Sequence, residues 1–266
     1  MKGNSFKLFL CVVVVFMTMI ACISSSGGGG QSTQPAATLP PAQLPSLQDT
    51  ATPSPQPSGG KYFQEDFNSG LANWSQFVVN GSKVPKGGNP TLVKSNFGNM
   101  TVGVKDGFLV FDLESQGQWI YAIYGAQEYD DVRLDVSAEN RGNNDNNISL
   151  ICRYSPDQGW YEFNIANSGL YDIYYAQVQP DNTVIYSKIA DGGYNKIKQG
   201  KDTNQIGISC ASHTLTLFIN NFQVKEIDDN QYVLRSGKVG VSVSSFEDPP
   251  AIVGFDWVKV SQPVAP

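Results

Sequence analysis

Histidine is almost absent from this chain: His213 is the only one among 266 residues. Histidine supplies most general bases and many zinc ligands, so a Ser-His-Asp relay or a zinc centre has a single available anchor. That anchor falls in the break Ala211-Ser212-His213 between two apolar rows, a solvent-facing turn rather than the buried, oriented position a triad needs. Cysteine is scarce too. Cys11 and Cys22 lie near the N-terminus and Cys152 and Cys210 far downstream, and two distant thiols with one imidazole make no zinc cluster. Charge is sparse at 16% of residues, and 18 basic against 24 acidic side chains leave a formal net charge of −6. Phosphate recognition needs clustered Lys and Arg, so nucleic acid is excluded as a partner. Downstream of residue 60 no stretch carries an apolar stripe at helical spacing.

What is present begins with a leader. Lys2 and Lys7 bracket a short basic region, and Leu8 to Ile20 is apolar, well short of the roughly 20 residues that span a bilayer. It ends in Met19-Ile20-Ala21-Cys22, which resembles a bacterial lipobox; the resemblance implies that Cys22 is lipidated and becomes the mature N-terminus, anchoring the chain to a membrane. Met19 stands where that family usually has Leu, and an ordinary secretory signal or an uncleaved anchor is the alternative. In each case the rest of the chain is exported. Residues 23–60 follow as a linker, with a run of four glycines at 27–30 and Pro35, Pro40, Pro41, Pro45, Pro53, Pro55 and Pro57 among Ser, Thr, Gln and Ala, and Asp49 as its only charge. Such a composition cannot bury enough apolar surface to offset ordering entropy. As a coil it reaches on the order of 35 Å, a tether for whatever follows.

Residues 61–266 read as one all-β domain. From Asn204 to Asp229 apolar and polar residues alternate with period two: Ile206, Ile208 and Cys210 form one row, Leu215, Leu217 and Ile219 a second. Asn220-Asn221 suits a tight hairpin because Asn tolerates positive φ. The segment is therefore a three-strand antiparallel meander. Further strands are expected at 62–67, 100–105, 107–113, 118–124 and 132–138, while 68–99 is weakly patterned, with Trp74 as a core plug. A second meander spans 147–178. Its turn at 156–159 places Arg153 opposite Glu162 and Cys152 opposite Phe163, and its turn at 167–169 places Asn164 near Asp172 and Glu162 near Tyr174. Alternation then sends Leu150, Cys152, Phe163, Ile165 and Ile173 to the core, and Arg153, Glu162, Asn164, Asp172 and Tyr174 to the other face.

The runs TLTLFINNFQVKEIDD, SGKVGVSVSS and VGFDWVKV, with FQEDFNSGLANW, KDGFLVFDL and SLICRYSPDQGWYEFNIANSGLYDI upstream, resemble a concanavalin A-like jelly roll over residues 61–263. They are similar in particular to the laminin-G-like and 3-keto-disaccharide-hydrolase-like domains of bacterial envelope proteins. The resemblance implies a two-sheet antiparallel sandwich. It does not transfer an activity, because the fold hosts many functions. Glucanases of this fold carry a strand motif E-x-D-x-x-E. It is absent here, and the nearest carboxylates, Glu128, Asp130 and Asp131, do not match its spacing.

Four chemistries remain open at this stage. Cys152 and Cys210, both on apolar faces, would pair in an oxidising compartment, and the related domains often have cysteines at these places; two buried free thiols are the alternative. Glu162 and Asp172 offer an acid and a base, although Arg153 opposite Glu162 favours a structural ion pair. Trp119, Tyr121, Trp160 and Tyr174 offer flat faces for a sugar, with Arg153, Glu162 and Asn164 as planar polar partners, against the plainer reading that aromatics simply favour strands. Asp66 and Asp256 lie on terminal strands that jelly rolls bring together, which suggests a structural calcium site; no other cofactor is indicated. The reading these features favour is a non-catalytic, carbohydrate-binding module on a lipid-anchored envelope protein. The alternatives are a glycoside or keto-disaccharide hydrolase and a structural or adhesive module.

Overall fold

The computed structural model describes residues 60–81, 89–93 and 99–263. Cys22, the leader and the linker up to residue 59 lie outside them. The described residues form strands throughout: β1 (Phe63–Glu65), β2 (Trp74–Asn80), β3 (Thr91–Val93), β4 (Met100–Lys105), β5 (Phe108–Leu113), β6 (Gln118–Tyr129), β7 (Val132–Asn140) and β8 (Asn146–Ser155). There follow β9 (Gly159–Ala166), β10 (Leu170–Val178), β11 (Val184–Gly193), β12 (Thr203–Ala211), β13 (Thr214–Ile219), β14 (Phe222–Asp228), β15 (Gly237–Ser245) and β16 (Ala251–Ser261). No helix interrupts them among the described residues.

The strands make two antiparallel sheets. One runs β14-β13-β12-β7-β16-β5-β4 with β1 against β16; the other runs β11-β10-β9-β8-β15-β6-β2-β3. The expected meander is β12 to β14, with Ile208 opposite Leu217, and Asn220 and Asn221 both take positive φ, at 49° and 70°. Between the sheets lies the core. Leu134, Val136, Ile206, Ile208, Leu215 and Leu217 face it from the first sheet, and Ile120, Ala122, Leu150, Phe163, Ile173, Val241 and Val243 from the second. Trp74 is buried in it as expected. Cys152 and Cys210 form a disulfide that joins β8 of one sheet to β12 of the other.

The second sheet is unusual in being covered on its outer face as well. Phe77 and Val79 of β2, Tyr121 and Ile123 of β6, Ile151 of β8, Trp160 of β9 and Ala176 of β10 form a separate apolar cluster there. Strands buried on both faces lose their alternation, because neither parity needs to be polar. That explains why β2, within the weakly patterned stretch 68–99, is not legible in the sequence.

One register departs from expectation. In the hairpin of β8 and β9, Leu150 pairs with Phe163, Ile151 with Glu162 and Cys152 with Tyr161, and the ladder is irregular between Cys152 and Ser155. Arg153 therefore does not stand opposite Glu162. It sits within the irregularity at φ 55°, and the left-handed backbone turns its side chain away from the Glu162 row. The displacement is by an even number of residues, so every other side chain of the meander keeps its expected face. In the β9–β10 hairpin Asp172 lies opposite Asn164 and Tyr174 opposite Glu162, as the turn at 167–169 requires.

Candidate functional site

The outer face of the second sheet is laid out in cross-strand rows. One reads Phe77, Tyr121, Ser242, Ser149, Asn164, Asp172; the next reads Ile123, Gly240, Ile151, Glu162, Tyr174, Lys188. In the stretch beneath the cleft the middle strand β15 presents Gly240, Ser242 and Ser244 to this face, while large rings stand on β6 to one side and on β9, β10 and β11 to the other. Small residues between large ones leave a trough. It is a cleft of about 490 Å³ lined by Trp119, Asn147, Glu162, Asn164, Asp172, Tyr174, Tyr186, Ser244 and Phe246, with Asn89 and Pro90 at its margin.

Glu162 is the chemical centre of this cleft. It is only 2% exposed, and its Oε2 accepts two hydrogen bonds, from the Tyr121 hydroxyl at 2.8 Å and the Trp160 indole N–H at 2.8 Å. The Tyr121 hydroxyl also meets the Tyr186 hydroxyl at 2.9 Å. Burial pushes the Glu162 carboxyl above its ordinary range, opposed by hydrogen bonds from Trp160, Tyr121 and Asn164. The same burial, with the charge of Glu162 beside them, raises both tyrosine hydroxyls. Asn164 is fixed from below by the Ser149 hydroxyl, which donates to its Oδ1. Asp172 is held by Lys188, 2.6 Å from its Oδ1, and the same ammonium lies 5.7 Å from the centre of the Tyr174 ring.

Aromatic packing holds the arrangement in place. Phe77 stacks on Tyr121 with centroids 4.5 Å apart and planes 5° from parallel, and Trp160 meets Tyr121 edge-on at 5.3 Å. Tyr186 is met edge-on by Trp119 at 5.3 Å and by Tyr174 at 6.1 Å. The rings of Trp119, Tyr174 and Tyr186 are half-buried, with one part in the cluster and the other toward the cleft.

Of the residues singled out by the sequence, Glu162, Asn164, Asp172, Tyr174 and Trp119 line this one cleft, and Tyr121 and Trp160 lie beneath it as partners of Glu162. Arg153 is a correction. It is fully buried elsewhere, donating from Nη1 to the Leu234 carbonyl at 2.8 Å and from Nη2 to the Ser212 carbonyl at 2.7 Å. It does not pair with Glu162. Tyr186, Lys188 and Asn147 were missed, and the alternation of Val184, Tyr186 and Lys188 was the signal that would have found the first two.

The remaining candidates resolve simply. His213 lies in the exposed turn after β12 and contacts Asp228. Of Glu128, Asp130 and Asp131, the last braces that turn, its Oδ1 accepting the Ser212 amide at 2.6 Å. Asp66 follows β1 and Asp256 lies within β16, strands that do pair, Glu65 opposite Val258. Among the described residues, however, no group of three or more His, Cys, Asp or Glu side chains converges, and Asp66 already accepts the Asn68 amide. On the outer face of the first sheet a hollow of about 160 Å³ holds Arg133 and Asp135, which satisfy each other at 2.7 and 2.8 Å.

No protein-family model matches the chain, and no curated protein does. Solved structures match the fold. A Bacillus licheniformis β-glucanase is 12% identical, with 77% of this chain and 99% of that one covered at a TM-score of 0.52. A Bacteroides ovatus endo-glucanase of glycoside hydrolase family 16 is 14% identical, covering 75% and 99% at 0.52. A native glycosidic hydrolase is 12% identical, covering 77% and 98% at 0.54. At such identities the likeness is one of fold. The described domain is a concanavalin A-like jelly roll, as its sequence resemblance implied.

Proposed function

We propose that this domain binds a carbohydrate without turning it over, and that it does so as the exported, lipid-tethered head of an envelope protein. The cleft carries this reading. Sugars present apolar CH faces that stack on rings and hydroxyls that need planar polar partners, and here half-buried Trp119, Tyr174 and Tyr186 stand around Glu162, Asn164 and Asn147. That the fold's solved members above are named as glucanases and a glycosidic hydrolase accords with a saccharide ligand. Both carboxylates of the cleft are already engaged, Glu162 by Tyr121 and Trp160 and Asp172 by Lys188, which suits binding better than proton transfer.

A hydrolase is the second reading, and one observation favours it. A carboxyl raised by burial at the wall of a cleft is what a general acid requires, and Asp172 is its diagonal neighbour across the β9–β10 ladder. A glycan array on the whole exported chain, followed by affinity and turnover measurements on the hits, separates the readings. Saturable binding without product is expected. Tyr174→Ala should weaken it by about 1–3 kcal/mol, by analogy with the loss of a base–aromatic stack, while folding is retained. Product release abolished by Glu162→Gln would instead establish the hydrolase, and a protein partner with no glycan binding would establish an adhesive role.

A further inference from the structure

Resting on the carbohydrate reading above, we infer that the cleft takes an uncharged saccharide and rejects anionic ones, and that the hydrogen-bonded chain Tyr186–Tyr121–Glu162 sets this preference. The inference follows from accounting for hydrogens. A tyrosine hydroxyl has one hydrogen, and Tyr121 gives its own to Glu162 Oε2 at 2.8 Å. Its contact with Tyr186 at 2.9 Å must then be donated by Tyr186. The Tyr186 hydrogen is thereby turned inward, and its hydroxyl offers the cleft only lone pairs. The Trp160 indole N–H is spent on the same carboxylate oxygen, and the Asn164 side chain also hydrogen-bonds Glu162.

The charges point the same way. Lys188 is the one cation beside the cleft among the described residues, and it is already 2.6 Å from Asp172 and 3.8 Å from Asp191. No arginine lines the cleft: Arg153 is buried elsewhere, and Arg133 and Arg141 pair with Asp135 and Glu139. A sugar hydroxyl arriving here finds fixed acceptors and supplies the donor they lack. A uronate or sulfate finds acceptors and like charge, with Asn89, Asn147 and Asn164 as the neutral amides among the described lining residues. The guanidinium that would have welcomed a carboxylate-bearing sugar is removed from the face by the irregularity at Arg153.

The test compares neutral gluco- and xylo-oligosaccharides with oligogalacturonates and heparin fragments of matched length, by titration calorimetry at low ionic strength. Neutral ligands should bind at least about tenfold more tightly than anionic ones, a modest demand given the several kcal/mol that like-charge contacts cost. Glu162→Gln removes the charge and lets the hydroxyl chain reverse, so the gap should narrow to roughly threefold or less. Tyr186→Phe removes the outer acceptor of the chain but keeps Glu162 and Asp172, so it should weaken neutral binding and narrow the gap only in part. Anionic sugars binding as tightly as neutral ones would overturn the inference while the carbohydrate reading stood. Absence of binding by any class would overturn both.

Discussion

Replacing Arg153 by Met should be among the most destabilising single changes in the domain, and should leave ligand affinity unchanged. The guanidinium ties together three segments that share no strand: the turn after β6 through the Asp130 carbonyl at 3.3 Å, the turn after β12 through Ser212 at 2.7 Å, and the approach to β15 through Leu234 at 2.8 Å. A hydrogen bond to a charged group contributes about 1.5–3 kcal/mol, so the two short contacts together represent roughly 3–6 kcal/mol. Part of this is offset. The charge is costly to bury, its Nε has no partner among the described residues, and burial lowers its pKa. Met also retains much of the apolar volume. A net loss of about 3 kcal/mol is expected, which for a domain of this size lowers Tm by roughly 6–12 °C. Urea unfolding followed by tryptophan fluorescence measures it directly. A loss below about 1 kcal/mol would refute the reasoning, since that is the range of unconstrained surface changes. So would selective loss of saccharide binding at unchanged stability, which would restore Arg153 to the ligand face.

The other expected outcomes are briefer. Cys152→Ala with Cys210→Ala opens a loop of 58 residues and should lower stability by about 4 kcal/mol, and intact mass with and without reductant should differ by two hydrogens. Because burial holds Glu162 above its ordinary value of 4.5, the unfolded chain releases this proton first, and the group's contribution to stability is lost as pH rises from that value. Wild type should therefore lose stability relative to Glu162→Gln as pH rises above about 4.5, and a gap that changes in the opposite direction would contradict the assignment. Cys22→Ala should release the protein from membranes; retention at wild-type levels would mean an uncleaved anchor instead.

How much of this was legible depends on which parity each strand leaves polar. The meander β12–β14 could be read outright, because Gln205, Ser209 and Thr216 alternate with buried Ile and Leu and because two asparagines mark its turn. The β9–β10 register was legible for the same reason. The β8–β9 register was not, since alternation records which face a residue takes but not an extra residue inserted between Cys152 and Ser155. A trace of it exists on the far strand. Gly237, at φ 150°, packs so close to Arg153 that a Cβ there would fall 2.5 Å from its carbonyl carbon, and that glycine gives no signal until the strands are paired. The strand β2 hid its role differently: with Trp74 on one face and Phe77 on the other, it looks like core and nothing more.

That second apolar face bears on the site itself. A carboxylate 2% exposed is expensive to keep, and nothing in the main core between the sheets depends on it. Were Glu162 there only to hold the fold, a leucine with phenylalanine at Tyr121 and Tyr186 would fill the same space without burying a charge. The surroundings instead go to some length to keep it. Phe77 is stacked flat on the Tyr121 ring, Trp160 is turned edge-on so that its N–H reaches Oε2, and β15 offers only Gly240 and Ser242 along the path the Tyr121 hydroxyl takes across the sheet. Each of these restricts the rotamers of the polar chain before any ligand arrives, which lowers the ordering cost of binding. A rigid aromatic bed beneath a small set of fixed polar atoms is the arrangement a binding cleft needs, and a sheet with an ordinary solvated outer face would not supply it.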